Sequence, residues 1–139
     1  MRTAVDTNVF SALWSREAPA LRMVALLDEA NAQGSLTICP VVYVECRANP
    51  WVRDDQVDHF LETMRVGVDW VMERDVWELA AERFVQYASR RRRQGAGEAK
   101  RLSSDFVIAS HALLHADRLV TLDQRRYRTD FPELILVEP

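Results

Sequence analysis

The feature that most constrains this chain is at its start, where Arg2-Thr3-Ala4-Val5 runs into Asp6-Thr7-Asn8. A short apolar run that stops at a carboxylate and two small polar residues reads as a buried strand ending at Asp6. The same form recurs late in the sequence as Arg118-Leu119-Val120-Thr121-Leu122-Asp123. In an open α/β sheet, ligands bind in the crevice beyond the carboxyl ends of the strands, where helices begin and point free N–H groups inward. Two such strands are therefore expected to deliver two acids to one edge.

The stretch between them alternates helical and strand signals. A short helix is expected through Trp14, and a second from Pro19, with Ala20, Met23, Val24, Leu27 and Ala30 at helical spacing until Gly34. Leu36 to Cys39 reads as a buried strand. Pro40 then opens a helix in which Val41, Val44 and Glu45 share one face, aiming Glu45 toward apolar surroundings. Val57, Phe60, Leu61 and Met64 trace another apolar stripe, Gly67 breaks it, and Val68 to Met72 is a candidate strand. The next helix is expected from Asp75 as N-cap, with Trp77, Ala80, Ala81, Phe84, Val85 and Ala88 as its core face. Ser103-Ser104 begins a helix that is apolar on most sides from Phe106 to Leu114 and holds Asp105 in its first turn. A polar turn at Gln124 to Thr129 and a last strand at Leu134 to Val137 complete the order. This order predicts an α/β fold, a central, mostly parallel sheet of four to five strands covered by helices on both faces. The 139 residues suit one domain spanning 1–139.

Charge and composition narrow the function. A formal net charge of −3 argues against coating nucleic acid by bulk attraction, so any such contact must be local. The candidates are Arg90-Arg91-Arg92-Arg93, followed after a glycine loop by Lys100 and Arg101, and then Arg125 and Arg126 beside Asp123. No apolar run approaches a bilayer span, and Asp6 interrupts the first hydrophobic run too early for a signal peptide, so the expected location is cytoplasmic with no membrane contact. Cys39 and Cys46 lack paired C-x-x-C spacing and read as reduced, partly buried thiols.

Four acids occupy unusual places: Asp6 and Asp123 at strand ends, Glu45 on an inward helix face, and Asp105 at the start of a buried helix. If they converge, two carboxylates about 5 Å apart repel by about 3 kcal/mol at an effective dielectric near 20. Several such terms rival the total stability of a domain. The cluster must take up protons or hold a cation. An all-oxygen site favours magnesium, with manganese as its substitute, and sparse protein ligation suits an ion that keeps water and binds phosphate. Metal-assisted cleavage of a phosphodiester follows, and the nearby basic residues make a polynucleotide the natural substrate.

These residues resemble the PIN-domain ribonucleases, and within them the VapC-type toxins of bacterial toxin-antitoxin pairs. The resemblance is carried by Val5-Asp6-Thr7-Asn8, Val44-Glu45, Ser104-Asp105-Phe106-Val107-Ile108-Ala109, Thr121-Leu122-Asp123 and Phe131-Pro132-Glu133-Leu134, and it spans nearly the whole chain. It implies a PIN-like three-layer α/β/α domain and an acidic metal site of Asp6, Glu45, Asp105 and Asp123, oriented by Thr7, Asn8, Ser104 and Thr121. It further implies magnesium-dependent endonucleolytic cutting of RNA, an antitoxin that covers the site, and a homodimer. Cys46-Arg47 and Gln124-Arg125-Arg126-Tyr127 depart from the familiar pattern, the latter by the positive charge placed beside Asp123.

Other readings have less behind them. His111 and His115 have zinc-protease spacing but lack the glutamate base, since Ala112 stands there. A phosphohydrolase with Asp6 as nucleophile lacks the second aspartate, having Asn8 instead. Against a non-catalytic binding module on the same fold stands the presence of all four acids, and a purely structural role would leave the acid cluster without a physical account.

Overall fold

The structure, a computed structural model, describes residues 1–18, 20–97 and 103–139. Five strands, β1 (Arg2–Val5), β2 (Ser35–Ile38), β3 (Val66–Val68), β4 (Arg118–Val120) and β5 (Leu136–Val137), form one parallel sheet in the order β3-β2-β1-β4-β5. Helices α1 (Thr7–Trp14) and α2 (Ala20–Gln33) link β1 to β2; α3 (Pro40–Arg47) and α4 (Val57–Thr63) link β2 to β3. Helices α5 (Arg74–Arg93) and α6 (Ser103–His115) lead to β4, and the short α7 (Arg125–Arg128) precedes β5. The chain steps outward from β1 to β3, then returns to the other side of β1. With right-handed crossovers, that reversal places α1 to α4 on one face and α5 and α6 on the other. The sheet is thus parallel and sandwiched, as its sequence order implies.

The reversal also creates a crevice between the carboxyl ends of β1 and β4, the place where such sheets bind ligands. Val5 is in register with Val120, and the Asp6 N–H donates to the Val120 carbonyl at 3.0 Å, so Asp6 and Thr121 emerge side by side.

The core packs Val5, Phe10, Leu27, Ile38, Phe106, Ile108, Leu119, Tyr127 and Phe131, all essentially buried. Every residue of α6 from Asp105 to Ala112 is buried, which explains why that segment is apolar on most sides. Phe106 is braced by Phe84, Tyr87 and Phe131 at ring-centroid distances of 5.0, 5.5 and 6.0 Å. This aromatic wedge fixes the first turn of α6, and with it the neighbouring Asp105.

Several local expectations shift. The third strand is Val66–Val68, with Gly67 inside it, not Val68 to Met72. The N-cap of α5 is Glu73, and Asp75 accepts the Val76 N–H within the first turn at 2.8 Å. Its inward face is rotated by one position: Val76 and Ala80 are buried while Trp77, Ala81 and Val85 are exposed. In α3 the apolar face runs through Val42 and Cys46, Val44 points outward, and Glu45 stands half-buried at the edge between them. The turn after Asp123 is helical (α7), and the last strand is only Leu136–Val137. Gly34 does more than end α2, since a Cβ there would lie 1.7 Å from the Met1 carbonyl oxygen. The expected helix start at Pro19 lies outside the described residues. Among the described residues, no helix is long and apolar enough to cross a membrane.

Candidate active site

Asp6 is the most buried acid of the four. Its Oδ2 accepts a hydrogen bond from Thr121 Oγ1 at 2.8 Å and another from the Tyr127 hydroxyl at 2.8 Å. Burial pushes its carboxyl above the usual carboxylate range, against the opposing effect of those two hydroxyls. Burial and the facing Asp6 likewise push the Tyr127 phenol well up, so it remains a donor. Thr121 is fixed in turn, because its Oγ1 accepts from Asn8 Nδ2 and from the Asp123 N–H, each at 3.2 Å. Asn8 Oδ1 accepts the Leu122 N–H at 3.2 Å. Asp6 and Asn8 after β1 and Thr121 after β4 thus lock the two strand ends together.

Glu45 arrives from the second turn of α3, and its Oε2 accepts a hydrogen bond from Thr7 Oγ1. Asp105 arrives from the first turn of α6 and is buried. Asp6, Glu45 and Asp105 line one cleft of about 330 Å³, together with Thr7, Asn8, Ser11, Ser104 and Arg126. Three of the four predicted acids and three of the four predicted supporting residues therefore meet at the sheet's reversal point. The fourth supporting residue, Thr121, lies just behind them under Asp6.

Asp123 stands beside this cleft but does not line it. Its Oδ1 accepts the Arg126 N–H at 3.3 Å, a hydrogen bond that ties it to α7. It opens instead onto a neighbouring hollow with Gln124, Arg125, Arg128 and Glu138. The link back to the acids is Arg126: its Nη1 donates to Asp105 Oδ1 at 3.3 Å, and its Nε lies 3.6 Å from Asp123 Oδ2. As the side chains stand, no three His, Cys, Asp or Glu groups among the described residues gather closely enough to grip an ion. The expected four-acid bowl is thus a three-acid cleft with an arginine at its rim.

The arginine run divides. Arg90 and Arg91 join Arg125 and Arg126 around a second concavity of about 290 Å³ that also includes Tyr87, Gln94, Thr129 and Asp130. Arg90 is paired with the buried Asp130, while Arg92 and Arg93 are exposed and lie off that concavity. Lys100 and Arg101 lie outside the described residues. Arg126 borders both hollows, so the acids and the basic concavity are neighbours.

Sequence reasoning did not find Tyr127, Ser11 or Asp130. Ser11 was legible from its i, i+4 relation to Thr7 on α1. Tyr127 and Asp130 depend on α7 folding back under the cleft, which no local pattern announces. The histidine pair is structural: buried His111 bonds Asp69 through Nε2 at 2.6 Å, and the rings of His111 and His115 stack 5.9 Å apart. Both cysteines are free and buried, with burial pushing Cys39 up to about 11 and Cys46 up to about 12. They are unreactive packing groups.

Comparison with known proteins places this geometry. The fold is similar to three solved complexes: VapBC2 from Rickettsia felis bound to a promoter DNA fragment (TM-score 0.59, 20% identity, 99% of this chain and 98% of that one), VapBC-1 from nontypeable Haemophilus influenzae (TM-score 0.64, 20% identity, 99% and 98%), and FitAB bound to the IR36 DNA fragment (TM-score 0.68, 18% identity, 99% and 94%). No curated protein matches it by sequence. The family pattern described as PIN domain matches residues 3–132, from the first strand through α7 and beyond. The chain belongs to the PIN domain family.

Proposed function

We propose that this protein is a metal-dependent endoribonuclease and the toxin of a toxin-antitoxin pair, acting in the cytoplasm. The observation that carries the reading is the convergence of Asp6, Glu45 and Asp105, from three separate elements, on one cleft at the sheet's reversal point. Membership of a nuclease family supports the reaction class. The donors are all oxygens, and their loose spacing fits a hard ion that retains much of its water; magnesium, with manganese as substitute, is the proposed cofactor.

Asp6 and Asp105 would hold the ion, and Glu45 lines the same cleft. When bound, the ion supplies a more acidic water and neutralises charge as it builds on the phosphate. The protein's own groups do the rest. Glu45, fixed by the Thr7 hydroxyl, is placed to take the proton of the attacking water. Tyr127 and Thr121 hold Asp6 in one orientation. Arg90, Arg91, Arg125 and Arg126 would grip phosphates of the RNA backbone beside the cut bond. Asp123 acts through Arg126 and not as a base.

An antitoxin partner is proposed because two of the similar structures are VapBC assemblies and the third is FitAB. An exposed Trp51 beside Trp14, Val52 and Phe60, around a hollow of about 530 Å³, provides apolar surface of the kind protein partners cover. A homodimer is proposed with it. The test is cleavage of RNA with magnesium, with chelator, and with the Asp6→Asn variant. Loss of cleavage under both treatments is expected; activity that survives both rejects the assignment.

A further inference from the structure

Among the described residues, Arg126 stands apart from the other arginines of the basic concavity because it alone also borders the acidic cleft. Its guanidinium donates to Asp105 at 3.3 Å and lies 3.6 Å from Asp123. The base of its chain is fixed, since its N–H is held by Asp123 Oδ1 and by the Asp123 carbonyl at 3.3 and 3.2 Å. The side chain is 39% exposed and its tip borders two hollows, so it has somewhere else to go. Guanidinium does not deprotonate in proteins, so it can leave the acids only by moving.

We propose that Arg126 is an exchangeable counterion: it neutralises the acidic cleft when no divalent ion is present, and it must swing toward the basic concavity when one enters. This rests on the metal-dependent reading above. A divalent ion between Asp6 and Asp105 and a guanidinium on Asp105 are like charges competing for one carboxylate, and both cannot hold it at full strength. The basic concavity beyond, bordered by Arg90, Arg91 and Arg125, is where a substrate phosphate would receive the displaced side chain. Arg126 is thus a positioning residue that sets the strength of ion binding, not an ion ligand.

The test is calorimetric titration of manganese and magnesium into the full-length wild type, Arg126→Ala and Arg126→Gln, with Arg125→Ala as a control for the same change of net charge. Thermal melting of each protein in chelator and with the ion is the second readout. Removing the competitor is expected to tighten ion binding on the order of tenfold, in either Arg126 variant. Arg125→Ala should change it by less than about twofold, because its charge is exposed and screened. Without the ion the Arg126 variants should melt below wild type, and adding the ion should raise their melting temperature by more than it raises that of wild type. Ion affinity in both Arg126 variants equal to or weaker than wild type would overturn this inference alone. Absence of ion binding in every protein, with cleavage indifferent to chelator, would overturn the functional reading and the inference together.

Discussion

Asp6 and Asp69 both follow strands at the carboxyl end of the same sheet, one after β1 and the other after β3 with β2 between them, yet their surroundings differ in kind. Asp69 has one cation and one imidazole as direct partners: Arg2 pairs with Oδ1, and His111 Nε2 lies 2.6 Å from Oδ2. Burial works to raise its pKa, but the His111 hydrogen bond and the Arg2 charge outweigh it and hold the carboxyl below its usual range. Among the described residues Asp6 accepts side-chain hydrogen bonds from two neutral hydroxyls, Thr121 and Tyr127, and burial outweighs them and the nearby Arg126 charge. Charge-assisted hydrogen bonds stabilise an anion about twice as well as neutral ones. One acid therefore has a cation bonded directly to it, while for the other the cation that offsets burial is the more distant Arg126, which sits on Asp105. That difference separates a structural ion pair from a site.

The sharpest way to break the comparison is to neutralise each acid in turn. Asp6→Asn is expected to lower RNA cleavage by more than about 100-fold, with a metal-free melting temperature equal to or above wild type, because an amide replaces a buried charge. Cleavage assays and melting curves on the same preparation check both parts. Asp69→Asn should do the reverse. It strands Arg2 and His111 at a partly exposed pair, costing about 1 to 2 kcal/mol of stability by denaturant titration, and leaves cleavage by the folded protein intact.

Smaller effects sharpen the contrast on the basic side. Arg91→Ala and Arg125→Ala should each weaken RNA binding and reduce the salt slope by about 1, whereas Arg92→Ala, off the concavity, should do neither. Affinity measured across a salt series distinguishes them.

The smallest effect is a pH dependence. Burial holds the His111 imidazole below its ordinary value, against the pull of Asp69. On acidification the unfolded chain therefore takes up this proton before the folded protein does. The stability is present above the ordinary imidazole pKa and is lost as pH falls toward the folded one. Between about pH 7 and about pH 5 wild type should lose more stability than His111→Gln, as denaturant titration at the two pH values would show. Asp69, with its lowered pKa, stays ionised throughout that window and adds no slope.

Much of this arrangement is legible in the sequence because short buried strands carry their own punctuation. Asp6 and Thr121 follow apolar runs, and strand register alone brings them together once β1 and β4 pair. Asp105 is legible because a helix buried on most sides has no other reason to begin with an acid. Glu45 is legible only in part: its helix is clear, but the inward face runs through Val42 and Cys46, because an eight-residue helix with five apolar positions does not fix its own rotation. The place of Asp123 depends on α7, a single turn whose conformation is set by tertiary contacts of Tyr127 and Asp130. For the same reason, Arg126 reads locally as one more surface cation.

The central claim is that residues distant in sequence make one divalent-ion site. A crystal soaked in manganese and measured for anomalous scattering tests it most directly. The account predicts a peak in the cleft between Asp6, Glu45 and Asp105, with the Arg126 guanidinium moved off Asp105. A manganese peak elsewhere, or none in the cleft at an ion concentration that supports cleavage, would contradict it.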